Sequence, residues 1–234
     1  MDVTCYEVKG ESHLSELESP TGGLWGGITV DEEYFSILED MFGKDVWSSF
    51  IKNCPEDVLY VKKEFESKKK VIKESSNDTI TMKFPVALVN LLREKRQFKG
   101  KMAEYIEQTT YSHSVKAVND QVRFKNDFIK ECFTKSVEKI INHLQMLFYK
   151  ELRGKSIGSI LMVSGFSQSP VLYDRMKSVF PNMEVICPQD AVLAIVMWAV
   201  MFGNNPRLIQ ERISQEHTGY VSMDHSMVHN IHHT

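Results

Sequence analysis

A turn with the sequence SGFSQSP, residues 164–170, has the residue types of an anion-binding site. It follows a short apolar run, and Pro170 suits the first position of a helix. Ser167 or Ser169 would cap that helix, and Gly165 would let a ligand approach the backbone. The N–H groups at a helix start, together with the positive end of its dipole, bind phosphate. Any turn from a strand into a helix needs a glycine and a cap, so a phosphate site and a plain connection both remain open.

Two further clusters have residue types that suit a nucleotide. The turn TGGLWGG at 21–27 lets backbone N–H groups approach an anion, and it equally suits a tight connection into a helix. In the next cluster Glu66 precedes Lys69 and Lys70 within a helix predicted over 56–74. Glu66 and Lys70 are an i, i+4 pair of the kind that stabilises a solvated helix face. The same three side chains would also suit a nucleoside, with the carboxylate on the ribose and the lysine stems over the base.

Helices and strands that would position these clusters follow from the hydrophobic periodicity. A β-hairpin is predicted to turn at Gly10, and a helix over 29–42 is predicted to carry a Thr29/Glu32 capping box and to end at Gly43. Beyond the helix at 56–74, a strand, two helices and a long amphipathic helix are expected at 78–85, 86–96, 101–110 and 123–152.

The last third alternates strand and helix patterns, which is typical of βαβ units around a covered sheet. Strands are predicted at 156–164 and 183–188, and helices at 169–181, 189–203 and 205–214. The apolar stretch 191–202 is too short to cross a bilayer, so it is interpreted as a buried helix. Residues 216–234 lose the periodicity, hold five of the eight histidines and are expected to be disordered.

The composition is that of a folded globular chain with 234 residues and 42% hydrophobic content. A net charge of -3 provides no basic field for nucleic acid or anionic lipid, so neither nucleic acid nor membrane is an expected partner. The four cysteines are far apart without a CxxC pair, which predicts reduced thiols rather than disulfides or a zinc site. With no apolar run of a signal peptide at the N-terminus, a cytoplasmic location is expected.

In their order along the chain, these features resemble the nucleotide-binding region of the 70-kDa heat-shock protein superfamily, most closely its 12A/12B-like branch. The resemblance covers nearly all of residues 1–215, and its most specific parts are GFSQSP, CPQDA before an apolar helix, and FGNNP. It implies an α/β fold: the second lobe of an actin-like ATPase, with an RNase H-like core and an inserted, mostly helical subdomain. In that family ATP binds in the cleft between two lobes.

The resemblance also implies a set of nucleotide-binding residues. Gly27, through its spacing to Asp31, matches a phosphate-contacting turn. The adenosine helix, the adenosine turn and the P-D-E-A segment of the family supply the other positions, the last of them matching Gln189. The full set is Gly27, Glu66, Lys69, Lys70, Ser164, Gly165, Phe166, Gln168 and Gln189. The implied cofactor is ATP or ADP, with magnesium only in the company of nucleotide.

Several departures from the family limit the expected activity. MDVT resembles the residues just after the family's first phosphate motif, so the first lobe and its catalytic groups are expected to be absent. Ser164 replaces a glycine, and large residues from Val192 to Trp198 stand where the family keeps a small one. The expected function is a partial nucleotide-binding region of a chaperone-like ATPase, with at most weak ATP or ADP binding. No catalytic residue is assigned, and the chain alone is expected to be inactive because phosphoryl transfer depends on those groups.

Two alternatives are a nucleotide-free module that binds other proteins through an exposed lobe face, and a metal site. The metal site would use four histidines of the tail: His225, His229, His232 and His233. No cysteine or carboxylate cluster accompanies these histidines, so no metal site is predicted. The expected domains are a core formed by 1–50 and 121–215, an inserted subdomain at 51–120, and the tail at 216–234.

Overall fold

A computed structural model describes residues 1–10, 13–73, 78–118, 121–205 and 209–213. The helices in these ranges are α1 Gly27–Phe42, α2 Lys44–Asn53, α3 Pro55–Lys69, α4 Val86–Arg96, α5 Met102–Glu107, α6 Asn126–Met146, α7 Pro170–Val179 and α8 Ala191–Asn204. The strands are β1 Asp2–Lys9, β2 His13–Gly22, β3 Thr79–Lys83, β4 Val115–Val118, β5 Gln121–Lys125, β6 Ser159–Leu161, β7 Glu184–Ile186 and β8 Ile209–Glu211. The chain therefore has the mixed helix and sheet content that an α/β class requires. The predicted tail at 216–234, with its histidines, lies outside the described residues.

The first sheet has the strand order β1-β2-β8. The predicted hairpin is confirmed: β1 and β2 are antiparallel, and Gly10 has a φ of 65°. The helix predicted over 205–214 is wrong, because β8 pairs with β2 in parallel and places Ile209 opposite Leu14. The carboxylate of Glu211 accepts a hydrogen bond from the Ser15 hydroxyl. These contacts with a distant strand override a local helical pattern.

The second sheet is antiparallel, with the order β3-β5-β4. The prediction of β3 is confirmed, but the long helix begins at Asn126 rather than at residue 123. Val122 and Phe124 are buried, while Arg123 between them is exposed, and this period of two is that of a strand. Residues of this sheet lie on both sides of the expected domain boundary at 120, and the division into domains stays a prediction.

Helices α1 and α6 pack together and carry much of the core. The ring of Tyr34 on α1 stacks on Phe65 of α3 with centroids 3.9 Å apart. The capping box is wrong: α1 starts at Gly27, and the Thr29 hydroxyl donates to the Leu24 carbonyl at 3.0 Å. The predicted end of α1 at Gly43 is confirmed. Helix α2, which the sequence did not predict, adds three buried side chains: Val46, Trp47 and Phe50.

The third sheet confirms the predicted βαβ unit but not the predicted cover on both faces, because Leu161 and Ile186 are 52% and 38% exposed. Strands β6 and β7 are parallel, and α7 connects them.

All four cysteines are free thiols, as expected. They are Cys5, Cys54, Cys132 and Cys187.

Helix α8 was predicted to be buried, and that prediction is wrong. Five of its apolar side chains are 53–63% exposed. They recur at i, i+3, i+4, i+7 and i+8, which is one face of a helix: Leu193, Val196, Met197, Val200 and Met201. The side chains of Val192 and Trp198 lie outside the described part of the chain. Among the described helices, none is both long and apolar enough to span a bilayer.

Candidate functional site

The end of α3 meets the start of α1 through Lys69. Its Nζ donates to both carboxylate oxygens of Asp31, at 2.7 and 2.8 Å, and to the Gly27 carbonyl at 3.3 Å. Val61 and Phe65 are buried on the same helix, so they fix α3 against the core and direct its last turn toward α1. The side chains of Lys69 and Asp31 are only 12% and 28% exposed. The ammonium is therefore held in a largely desolvated ion pair.

The charge balance around Asp31 includes Glu66. Burial raises the pKa of Asp31, the hydrogen bond and charge of Lys69 oppose this rise, and the nearby Glu66 carboxylate adds to it. Glu66 and Lys70 are both exposed at the end of α3. Their polar groups are consequently open to a ligand, whereas Lys69 is engaged with Asp31.

Phe166 extends this cluster toward the SGFSQSP turn. A Cβ placed on Gly27 would lie 3.3 Å from Lys69 Nζ and 3.7 Å from Phe166 Cδ2. The Phe166 ring is nearly parallel to that of Phe133 on α6, with centroids 6.4 Å apart and an interplanar angle of 19°. Three predicted site residues from distant parts of the sequence therefore meet: Gly27, Lys69 and Phe166.

Within the SGFSQSP turn, the serines bind one another. The Ser167 hydroxyl donates to the Ser164 carbonyl at 2.7 Å and accepts the Ser164 N–H at 3.0 Å. The Ser167 N–H donates to the Ser164 hydroxyl at 3.1 Å. Gly165 is exposed, and a Cβ there would meet no described atom within 4 Å. The side chain of Ser164 thus fastens the turn, while the backbone of Gly165 stays accessible.

The predicted side-chain cap of α7 is wrong. Ser167 is occupied by Ser164, and Ser169 stands at the N-cap without donating or accepting a side-chain capping bond. The Ser169 hydroxyl oxygen is buried and has no hydrogen-bond partner among the described residues. Pro170 begins the helix as predicted.

Gln168 and Gln189 are also brought together. The Gln168 amide Nε2 donates to the Gln189 carbonyl at 2.9 Å. Beside them, the Cys187 thiol donates to the Ser167 carbonyl at 3.3 Å. These bonds tie the turn after β6 to the segment after β7, so the carboxyl ends of the two parallel strands lie together.

The sequence did not reveal the ionic partner of Lys69 or the ring that supports Phe166. From the sequence, Asp31 was noted only for its spacing from Gly27. Its position one turn into α1 is the signal that could have indicated an ion pair with Lys69. No comparable signal marks Phe133, which carries the period of an ordinary core residue. Among the residues described, no group of three or more His, Cys, Asp or Glu side chains is placed to hold a metal ion.

Comparison with known proteins finds relatives over most of the chain. Heat shock 70 kDa protein 12A from Homo sapiens is 28% identical over 217 residues, which are 92% of this chain and 32% of that protein. The Mus musculus protein of the same name matches to the same extent, and heat shock 70 kDa protein 12B from Homo sapiens is 24% identical over 219 residues. The chain thus spans about a third of the length of these curated relatives.

No protein-family profile and no solved structure matches the chain. The mixed α/β content and the relatives together fit an actin-like fold. The resemblance read from the sequence is confirmed: over 92% of its length the chain is similar to heat shock 70 kDa proteins 12A and 12B.

Proposed function

We propose that this chain is a partial nucleotide-binding region of a chaperone-like, heat-shock-type actin-fold ATPase, and that it binds ATP or ADP weakly. The observation that supports the proposal is the meeting of Gly27, Lys69 and Phe166. The family resemblance assigns all three to the nucleotide, although 42 residues separate the first two and Phe166 lies far beyond both. Folding brings them to one place.

In this proposal the phosphates lie at the start of α1. The positive end of a 16-residue helix faces the ligand there, and a Cβ on Gly26 would meet no described atom within 4 Å. At Gly27 the space that a side chain would use is shared by Lys69 and Phe166. Glycine at position 26 therefore leaves the backbone open to an anion, whereas glycine at position 27 leaves the room that Lys69 and Phe166 use.

The adenosine would lie between the end of α3 and the SGFSQSP turn. The exposed carboxylate of Glu66 would accept hydrogen bonds from ribose hydroxyls, and the stem of Lys70 would pack over the base. The accessible backbone of Gly165 would form the opposite wall, with Ser164, Gln168 and Gln189 at its border. Magnesium would arrive only with the nucleotide phosphates.

Weak affinity follows from the contacts already made inside the chain. Lys69 is paired with Asp31, so its charge is largely neutralised before any phosphate arrives. Ser164 places a side chain where close approach of adenosine would need none. A pocket that binds a small molecule tightly encloses most of its surface, and these segments would enclose only part of a nucleotide. We assign no catalytic residue and propose no hydrolysis by this chain alone.

The same ion pair favours a second candidate, a nucleotide-free module that binds proteins. If Lys69 serves only to join α3 to α1, the cluster is an architectural contact.

We also propose a cytoplasmic location, on the ground that all four cysteines are free. A further proposal is the division of the chain into a core and a subdomain inserted at 51–120.

Titration calorimetry with ATP and ADP, with and without magnesium, distinguishes the two candidates. We expect a Kd in the upper micromolar to millimolar range and loss of binding in Glu66→Ala. A hydrogen bond to a charged group contributes about 1.5–3 kcal/mol, or at least tenfold in Kd. Glu107→Ala, an exposed glutamate at the end of α5, is the matched control and should bind like the unchanged chain. Absence of heat at millimolar nucleotide would refute the first candidate and favour the second.

A further inference from the structure

The connection between α4 and α5 concentrates positive charge. Residues 93–101, REKRQFKGK, hold five cations and one acid in a chain whose net charge is -3. We call this segment the basic loop. All five of its cationic residues are exposed: Arg93, Lys95, Arg96, Lys99 and Lys101.

Folding of the chain accounts for only part of this charge. Arg96 forms an ion pair with Asp45 at 2.6 Å, and Arg93 and Lys95 lie in the last turn of α4, where the helix dipole favours cations. Lys99 and Lys101 stand just before α5, at the end of a helix where the dipole disfavours cations. The helix dipole therefore gives no reason for those two lysines, although the Lys101 N–H donates to the Glu104 carboxylate at 3.4 Å.

The basic loop borders a shallow, open depression. This depression is lined by Arg93, Glu94, Gln97, Phe98 and Lys99. Gln97 adopts a left-handed conformation with a φ of 50°, and the Phe98 N–H donates to the Arg93 carbonyl at 3.1 Å.

Close packing restrains the tip of the basic loop. A Cβ on Gly100 would meet the Glu104 carboxylate and would lie only 2.7 Å from Phe98 Cζ, so the backbone of Gly100 packs directly against both side chains. The ring of Phe98 also makes an edge contact with Tyr105, with centroids 5.5 Å apart. A loop that is ordered before binding loses less conformational entropy when a partner arrives.

We propose that the basic loop binds an acidic, extended segment of a partner polypeptide. Arg93 and Lys99 line the same depression and outnumber the one acid there, Glu94, so they present a net positive charge to carboxylates. Single-stranded nucleic acid fits less well, because it needs open aromatic faces for stacking and Phe98 is engaged with Gly100 and Tyr105. The overall negative charge also opposes a long polyanion. This surface is independent of the proposed nucleotide site.

Fluorescence anisotropy with a labelled deca-glutamate peptide tests the proposal on the full chain. We expect binding that weakens as NaCl rises, and at least fivefold weaker binding by the Arg93→Gln/Lys99→Gln variant. The matched control Lys52→Gln/Lys63→Gln removes the same charge from exposed positions on α2 and α3 and should change Kd less than twofold. Thermal melts followed by circular dichroism verify that all variants are folded.

Three results would overturn the proposal. The first is no binding of the peptide at millimolar concentration, or equal binding of a deca-glutamine peptide. The second is an equal loss of affinity in the control variant, which would assign the effect to net charge. The third is tighter binding of a ten-residue oligouridine or of phosphatidylserine vesicles than of deca-glutamate, which would assign the surface to another class of partner.

Discussion

Removing the Lys69 ammonium is expected to destabilise the junction of α1 and α3. Lys69→Met keeps most of the side-chain stem but leaves the Asp31 carboxylate, 28% exposed, without its cation. Exposed ion pairs contribute at most about 1 kcal/mol, whereas removal of one partner from a buried pair costs about 3–5 kcal/mol. Because this pair is largely but not fully buried, we expect the free energy of unfolding to fall by about 2 kcal/mol at pH 7.5.

The penalty should depend on pH. Burial raises the pKa of Asp31 above its usual value, and Lys69 opposes that rise, so the variant should have a still higher Asp31 pKa. A carboxyl group whose pKa is higher in the folded than in the unfolded chain contributes stability at low pH and loses it as pH rises through the folded pKa. The cost of Lys69→Met should therefore be smaller at pH 4.5 than at pH 7.5.

Urea unfolding followed by circular dichroism measures both effects. The double variant Lys69→Met/Asp31→Asn carries no buried charge at this place, so it should recover part of the lost stability and show less dependence on pH. A loss below about 0.5 kcal/mol, or an equal loss at both pH values, would show that the ion pair does not hold the junction in solution.

Two further predictions concern the core. Burial raises the pKa of Cys132 to about 12, so iodoacetamide at pH 8 should leave this thiol unmodified in the folded chain. The partly exposed Cys187 should react under the same conditions. Peptide mass spectrometry measures the labelling of each thiol, and equal labelling of both would contradict the prediction. Phe65→Ala should lower the free energy of unfolding by about 3–5 kcal/mol, because the ring is fully buried and stacked on Tyr34. Leu59→Ala on the same helix, at a side chain that is 50% exposed, should cost below about 1 kcal/mol in the same urea titration, and similar losses in the two variants would disprove the burial argument.

Elements with a strong period of their own could be predicted from the sequence. Helix α4 has the predicted bounds, and α6 keeps its predicted apolar stripe. Strand β8 could not be predicted, since its three residues owe their conformation to β2, which is remote in sequence. Hydropathy also misjudged α8, because it measures how strongly side chains avoid water and not whether other residues are available to cover them.

The candidate site was predictable in its residue types rather than in its contacts. Glycines and lysines at fixed spacings suggested an anion near Gly27 and a nucleoside near Lys69. The sequence contained no indication that the Lys69 ammonium would be held by Asp31, because that contact depends on how α3 lies across α1. The Ser164 and Ser167 bonds were hidden for another reason, since short polar side chains in a turn have several equally good partners.

The pairing of β8 with β2 also has a consequence for the order in which the chain can be completed during synthesis. The hairpin of β1 and β2 involves neighbouring residues, so it can close as soon as its own two strands have emerged from the ribosome. Its third strand follows much later, since Ser15 and Glu211 are 196 positions apart. Throughout that interval the β8-facing edge of β2 lacks its native partner, and an open strand edge is a template for pairing with other chains. The nascent chain therefore carries this hazard from the synthesis of β2 until that of β8.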